Sequence, residues 1–201
     1  MRNKSALLLI VGLLIGMGLV ALWGIPRLTP HAFHGTLLQS PSEAHDFTLT
    51  SNTGQQVSLS DFRGKLVLLY FGYTFCPDVC PTTLAEIAAA MKILGKNAGD
   101  VQVIMISVDP ERDTPAKLAE YVAHFDPRFL GVTGTPEKIA EIATLYGIFY
   151  QKNEGSDATG YLIDHTATVT VVDQDGHVKL VLPFGTGAKD IADDLTYLIN
   201  H

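Results

Sequence analysis

Lys65-Leu-Val-Leu-Leu-Tyr-Phe-Gly72, followed at once by Tyr73-Thr-Phe-Cys-Pro-Asp-Val-Cys-Pro81, carries the fold and the chemistry together. The first part is a continuous apolar run bounded by glycines, which suits a central strand buried on both faces. Pro81 fits a first helical turn. Leu84, Ile87, Ala88, Met91 and Leu94 then recur at helical spacing, with Gly95 and Gly99 as stops. Cys76 and Cys80 are the only cysteines. Four residues is a little over one helical turn, so both thiols can face one side of a helix start. Two thiols placed so can grip a soft metal ion, close into a disulfide, or do both in turn.

Upstream, Asp46 to Thr50 and Gln56 to Leu59 read as a β-hairpin around Asn52-Thr-Gly54. Downstream, Val101 to Val108 reads as a second buried strand that delivers Asp109-Pro-Glu-Arg-Asp-Thr-Pro115 at its C-terminal end. Thr114 is placed to N-cap a helix with Pro115 at its first position, and Thr135-Pro136 opens another. Leu130 to Val132 is a short strand, Ile148 to Lys152 is extended, and Asn153 to Thr159 is a polar loop. Thr166 to Val172 and His177 to Leu182 form a late hairpin, and Ala188 to Ile199 is a closing amphipathic helix. Strands alternating with helices predict a parallel sheet, to which the hairpin adds antiparallel strands. The expected fold class is α/β: a thioredoxin-like fold with a mixed central sheet flanked by helices and an N-terminal β-hairpin. Active groups in such a sheet belong at the C-terminal ends of the parallel strands.

The N-terminus reads differently. Arg2 and Lys4 precede an uncharged, largely apolar run from Ser5 to Ile25. As a helix this run reaches roughly 31 Å, enough for a bilayer core of about 30 Å. No strong cleavage site follows, so residues 1–28 are expected to be an uncleaved signal anchor, a single transmembrane helix, with a cleaved signal peptide as the alternative. Trp23 suits the far interface, and the leading positive charges favour a cytoplasmic N-terminus. The rest would then face the periplasm from the inner membrane. Residues 29–45 read as a linker and 46–201 as one domain. Beyond the anchor region 11 basic residues stand against 21 acidic ones. That balance argues against nucleic acid, whose phosphates need cationic faces.

Cysteine usage narrows the chemistry. A domain of about 170 residues needs no disulfide staple, and a loop this short would restrain the unfolded chain little. A thiol near a helix N-terminus is stabilised as the thiolate, the form that binds metal and attacks disulfides. Three residues separate the cysteines, one more than in thioredoxin-type redox proteins. A disulfide remains open to the pair, and so does an ion between two sulfurs. His165, in Tyr161-Leu-Ile-Asp-His165, is the candidate third ligand, expected at a loop-to-strand junction. Two thiolates and an imidazole suit soft or borderline metals, copper above all and zinc as well. Asp78 lies between the cysteines, as a helix cap or a further oxygen donor. Asp109, Arg112 and Asp113 read first as a structural salt-bridged loop, with partner docking as the alternative.

Phe71-Gly-Tyr-Thr-Phe-Cys-Pro-Asp-Val-Cys-Pro81, Ser107-Val-Asp-Pro-Glu-Arg-Asp-Thr-Pro115, Phe125-Asp-Pro-Arg-Phe-Leu-Gly-Val-Thr-Gly134 and Tyr161-Leu-Ile-Asp-His165 together resemble the Sco/SenC family, from about Asp46 to the C-terminus. The resemblance implies a thioredoxin-like fold tethered by one N-terminal helix. It implies copper (Cu⁺ or Cu²⁺) binding through two cysteines and a histidine, which fall here on Cys76, Cys80 and His165. It implies copper delivery to a copper-site subunit during cytochrome c oxidase assembly, with other copper chaperones or thiol reductants as further partners. Phe75 departs from the pattern: many relatives carry a polar residue or histidine before the first cysteine. The alternative function is a thiol–disulfide oxidoreductase with Cys76 and Cys80 as its catalytic pair, which would not need His165. A third reading is a thiol peroxidase, because Val79-Cys80-Pro81-Thr82 resembles the nucleophile segment of peroxiredoxins. There Cys80 would attack peroxide and Cys76 resolve it.

Overall fold

The computed structural model describes residues 4–23, 30–154 and 160–201, with side chains in the first segment described for 8–18. The chain divides into two units, Met1–Ala32 and Phe33–His201. The first contains helix α1, Lys4–Trp23, of 20 residues. Its apolar side chains from Leu8 to Met17 stand exposed. Among the described residues no helix is long and apolar enough to cross a membrane. The anchor expected over 1–28 includes residues 1–3 and 24–28, which lie outside the described residues.

The second unit is built on β4, Leu66–Gly72, in which every residue is buried. Burial on both faces requires apolar side chains on alternate and intervening positions alike, which is why this strand carries no polar interruption. β5, Val101–Ser107, runs parallel beside it with Gly72 opposite Ser107, and β6, Leu130–Thr133, runs parallel to β5. Parallel neighbours need crossovers. They are made by α2, Val79–Leu94, and α3, Pro115–Ala123. A further helix, α4, Pro136–Leu145, follows β6. The two threonine caps form as the sequence predicts. Thr114 and Thr135 each accept the backbone N–H three residues on, with proline in the first helical turn.

β2, Thr48–Ser51, and β3, Gln56–Ser58, make the expected hairpin and extend the sheet antiparallel from β6. On the other side, β9, Val169–Val172, pairs antiparallel with β4, and β10, His177–Leu182, pairs with β9. The final helix α5, Ala188–Asn200, packs on α2, whose Glu86 carboxylate accepts the Ala188 N–H at 2.7 Å and so caps it.

Three local readings change. The segment read as a linker, 29–45, contains an edge strand, β1, Thr36–Glu43, antiparallel to β10. Its lead-in is held by Asp194 of α5, which accepts the backbone N–H groups of His34 and Gly35. An exposed edge strand interrupted by Pro41 carries no alternation, so its pairing is invisible in sequence. The region read as extended forms β7, Tyr150–Glu154, and takes in Asn153 and Glu154 of the expected polar loop, whose remainder, 155–159, lies outside the described residues. Last, Tyr161–His165 is itself a strand, β8, paired antiparallel with β7 in a separate two-stranded ribbon. The hairpin strand begins at Val169 rather than Thr166.

Candidate metal centre

The site forms where β4 ends. Cys76 lies in the loop after the strand, and Cys80 in the first turn of α2. Asp78 is the N-cap residue by position, yet its side chain makes no capping bond to the backbone. A sulfur does this work: the Cys80 N–H donates to Cys76 Sγ at 3.3 Å. Orphan N–H groups and the helix dipole therefore both act on Cys76.

β9 brings the third group. Its antiparallel register sets Val169 against Tyr70, so the chain preceding β9 passes the end of β4 where the cysteine loop begins. His165 Nε2 comes to 3.2 Å from Cys80 Sγ. His165 Nδ1 lies 3.2 Å from the Thr166 carbonyl, a contact that orients the ring with Nε2 towards the sulfurs. The edges and faces of Tyr70 and Tyr73 flank the imidazole, with ring centroids 6.1 and 6.0 Å away. One donor atom each from Cys76, Cys80 and His165 lies within 4.8 Å of the others.

The two thiols are unequal. Cys76 is half-buried and Cys80 fully buried, and both are free. The Cys80 thiol beside Cys76 holds the Cys76 thiol down to about 4, with His165 and the N–H groups of Cys80 and Asp78 adding to the effect. Burial pushes the Cys80 thiol up, and the neighbouring Cys76 sulfur pushes it further. One negative charge therefore resides on the pair, on the outer sulfur. A peroxidatic role for Cys80 does not fit this arrangement, because the attacking sulfur must be the accessible thiolate.

Close packing makes the juxtaposition. A Cβ on Gly72 would stand 2.8 Å from the Tyr70 ring and 3.0 Å from Cys80 Sγ. The Tyr70 hydroxyl is buried without a hydrogen-bond partner among the described residues, and burial pushes its pKa up. An open cleft of about 370 Å³, lined by Tyr73, Pro77, Leu162 and Ala167 among others, opens Cys76 and His165 to solvent. A larger cleft of about 520 Å³, around Thr50, Thr133 and Lys138, contains neither thiol nor imidazole.

The three residues that sequence reasoning singled out as candidate ligands, Cys76, Cys80 and His165, stand together in the structure, with His165 at the end of a strand rather than at a loop-to-strand junction. Sequence reasoning missed Tyr70, Tyr73, Thr74 and Tyr161. Their aromatic or hydroxyl character carries no spacing signal, since each acts through a neighbour distant in the chain. The Asp109–Arg112–Asp113 loop is salt-bridged, as its first reading held, with Asp109 and Arg112 paired.

Comparison with known proteins gives a consistent picture. A family model described as SCO1/SenC matches residues 36–200. An SCO2-like protein of Rickettsia felis is 33% identical over 197 residues, covering 96% of each chain. The solution structure of apo Sco1 from Thermus thermophilus superimposes with a TM-score of 0.75 at 44% identity, covering 84% of this chain and 98% of that one. The structure of Bradyrhizobium japonicum ScoI with copper bound gives a TM-score of 0.72 at 39% identity, covering 78% of this chain and 99% of the other.

Proposed function

The chain belongs to the SCO1/SenC family, and on that premise we propose that it is a membrane-tethered copper chaperone whose ion is held by Cys76, Cys80 and His165. The observation that carries the reading is the meeting of His165 Nε2 and Cys80 Sγ at 3.2 Å, with the Cys76 sulfur beside them. Copper is the cargo. Two thiolates favour Cu(I), and the imidazole widens the site's tolerance towards Cu(II). Cys76, already a thiolate and half-exposed, makes the first contact with an incoming ion. Cys80 gives up its proton as it binds, so loading releases protons. Delivery runs by ligand exchange through the open cleft to a copper-site subunit of cytochrome c oxidase, the client that family membership favours. Other copper chaperones or thiol reductants would load and re-reduce the site.

The apolar sequence of helix α1 supports a tether: its described side chains, from Leu8 to Met17, stand exposed with no polar face to turn to water, and lipid would satisfy them. In this reading residues 1–28 form the anchor in the inner membrane, and 46–201 form the copper-binding domain in the periplasm. The test is an anaerobic copper titration of the reduced full-length chain in detergent, read by X-ray absorption. Wild type should show sulfur and nitrogen neighbours, and His165→Ala sulfur without the imidazole nitrogen. Full-strength, unchanged binding in Cys76→Ser or His165→Ala would refute the three-ligand site.

A second reading rests on the Cys76 thiolate. As a thiol–disulfide oxidoreductase, Cys76 would attack a client disulfide, releasing one client thiolate and forming a mixed disulfide. Cys80 would then displace the second client thiolate and leave a Cys76–Cys80 disulfide, for a thiol reductant to reopen. The copper-free protein would turn over on a disulfide substrate with His165 replaced by alanine. Failure of that variant to turn over would remove this reading.

A further inference from the structure

The loop that follows β5 holds both halves of the thiol–imidazole site. Asp113 is buried and accepts three hydrogen bonds: from the Thr74 N–H at 3.0 Å, from the Thr74 hydroxyl at 2.6 Å and from the Ser107 hydroxyl at 2.6 Å. The turn two residues before Cys76 is thereby fastened to the end of β5. Asp109, also buried, accepts the Tyr161 hydroxyl at 2.6 Å and the Arg112 Nε–H, which fastens the strand that ends in His165. Between the two stands Arg112. Its Nη1 donates to the Tyr161 carbonyl at 3.0 Å, and its guanidinium carbon lies 3.6 Å from the Tyr161 ring centroid and 4.7 Å from that of Phe75. One planar cation thus spans from the residue before Cys76 to the strand four residues before His165.

We propose that Arg112 is a positioning residue that sets the separation of the Cys76 loop from His165, with Asp109 and Asp113 holding its two jaws. The proposal rests on the three-ligand reading above. A guanidinium suits the task because its flat face stacks on two rings while its edge donates in fixed directions. An ammonium on a flexible stem offers neither face nor fork. The role differs from a loop that merely stabilises the fold, since it acts on the geometry of the donor set. It also accounts for an aromatic residue at position 75: Phe75 supplies one jaw, and Lys117 Nζ lies 5.0 Å from the centroid of the same ring. Phe75 remains 48% exposed, so its contribution is to the site more than to the core.

The experiment compares copper-loaded full-length wild type with Arg112→Gln, Arg112→Lys and Phe75→Ala in detergent, by X-ray absorption and by competition for copper with a chelator. Arg112→Gln should lose the imidazole nitrogen from the copper shell while keeping both sulfurs. Its copper affinity should fall roughly 10- to 100-fold, as for other residues that orient metal ligands. Lysine should fail to restore the nitrogen, and Phe75→Ala should show a smaller loss in the same direction. Because Phe75 lies at the surface, that variant keeps the test open if the arginine variants do not fold. An unchanged nitrogen shell and affinity in Arg112→Gln, or in Phe75→Ala where Arg112→Gln does not fold, would overturn the bracket alone. Full rescue by lysine would overturn the stacking geometry on which it rests. A wild-type site without nitrogen would overturn the three-ligand reading and the bracket with it.

Discussion

Gly72 shows how little room the site leaves. No special backbone angle demands glycine there; the neighbours do, with a Tyr70 ring carbon at 2.8 Å and Cys80 Sγ at 3.0 Å from where a Cβ would stand. The Tyr70 ring and Cys80 are both buried, so neither can retreat into solvent. Gly72→Ala should displace Cys80 and cost about 1–3 kcal/mol of stability, the usual penalty for overpacking a filled core. Thermal unfolding would measure that cost, and copper affinity should fall in parallel. Cys76 gives a second prediction. Its thiol is held down to about 4, so it is a thiolate throughout the neutral range, whereas an ordinary cysteine titrates near 8.5. Alkylation of the reduced, copper-free protein at Cys76 should change little between about pH 6 and pH 8. An ordinary cysteine would slow about tenfold for each unit of acidification below its pKa. Mass-spectrometric rates across that range would decide. The thiols and the imidazole were recognisable as residue types, but the sulfur that caps α2 was not: sequence offered Asp78 as a cap or an oxygen donor, and the Cys80 N–H bonds Cys76 instead.

The helices and strands that matter are those that end at the site. α2 begins within it, and α5 packs on α2 with its own N-terminus capped by Glu86. That bond joins two elements that carry no site residue on α5, so its loss should be felt in stability and not in chemistry. Glu86→Gln keeps an acceptor and should cost less than Glu86→Ala, which should lose about 0.5–2 kcal/mol with copper binding unchanged. Denaturant unfolding of both variants, with a copper titration beside it, makes the check. The regular elements follow from apolar spacing, proline and threonine caps, and these are local signals. β1 escaped such reading because it is largely exposed, so no buried face imposes alternation, and what defines it is hydrogen bonding to β10, far away in the chain.

For the molecule as a whole, ligand binding and folding are linked. Copper that binds the folded site and not the unfolded chain adds stability in proportion to the logarithm of its excess over Kd, about 2.7 kcal/mol at a hundredfold excess. Anaerobic loading with Cu(I) should therefore raise the unfolding temperature of the reduced protein, and a Cu(I) chelator should return it. The rise should shrink in His165→Ala, which loses one donor of three. A calorimetric scan with no copper-dependent shift in wild type would contradict the site. From residue order alone came the α/β class, the buried central strand and the thiol pair at a helix start, because hydrophobic period, caps and the spacing of reactive groups are written locally; His165 was a candidate that the family resemblance, and not its spacing, joined to the thiols. Distances between segments are not written locally. His165 reaches Cys80 across 85 positions because β9 lies antiparallel on β4, and Arg112 reaches both rims because β5 ends beside Gly72. Strand order and register are properties of the assembled sheet, fixed by which pairings bury the most apolar surface while leaving no backbone group unpaired.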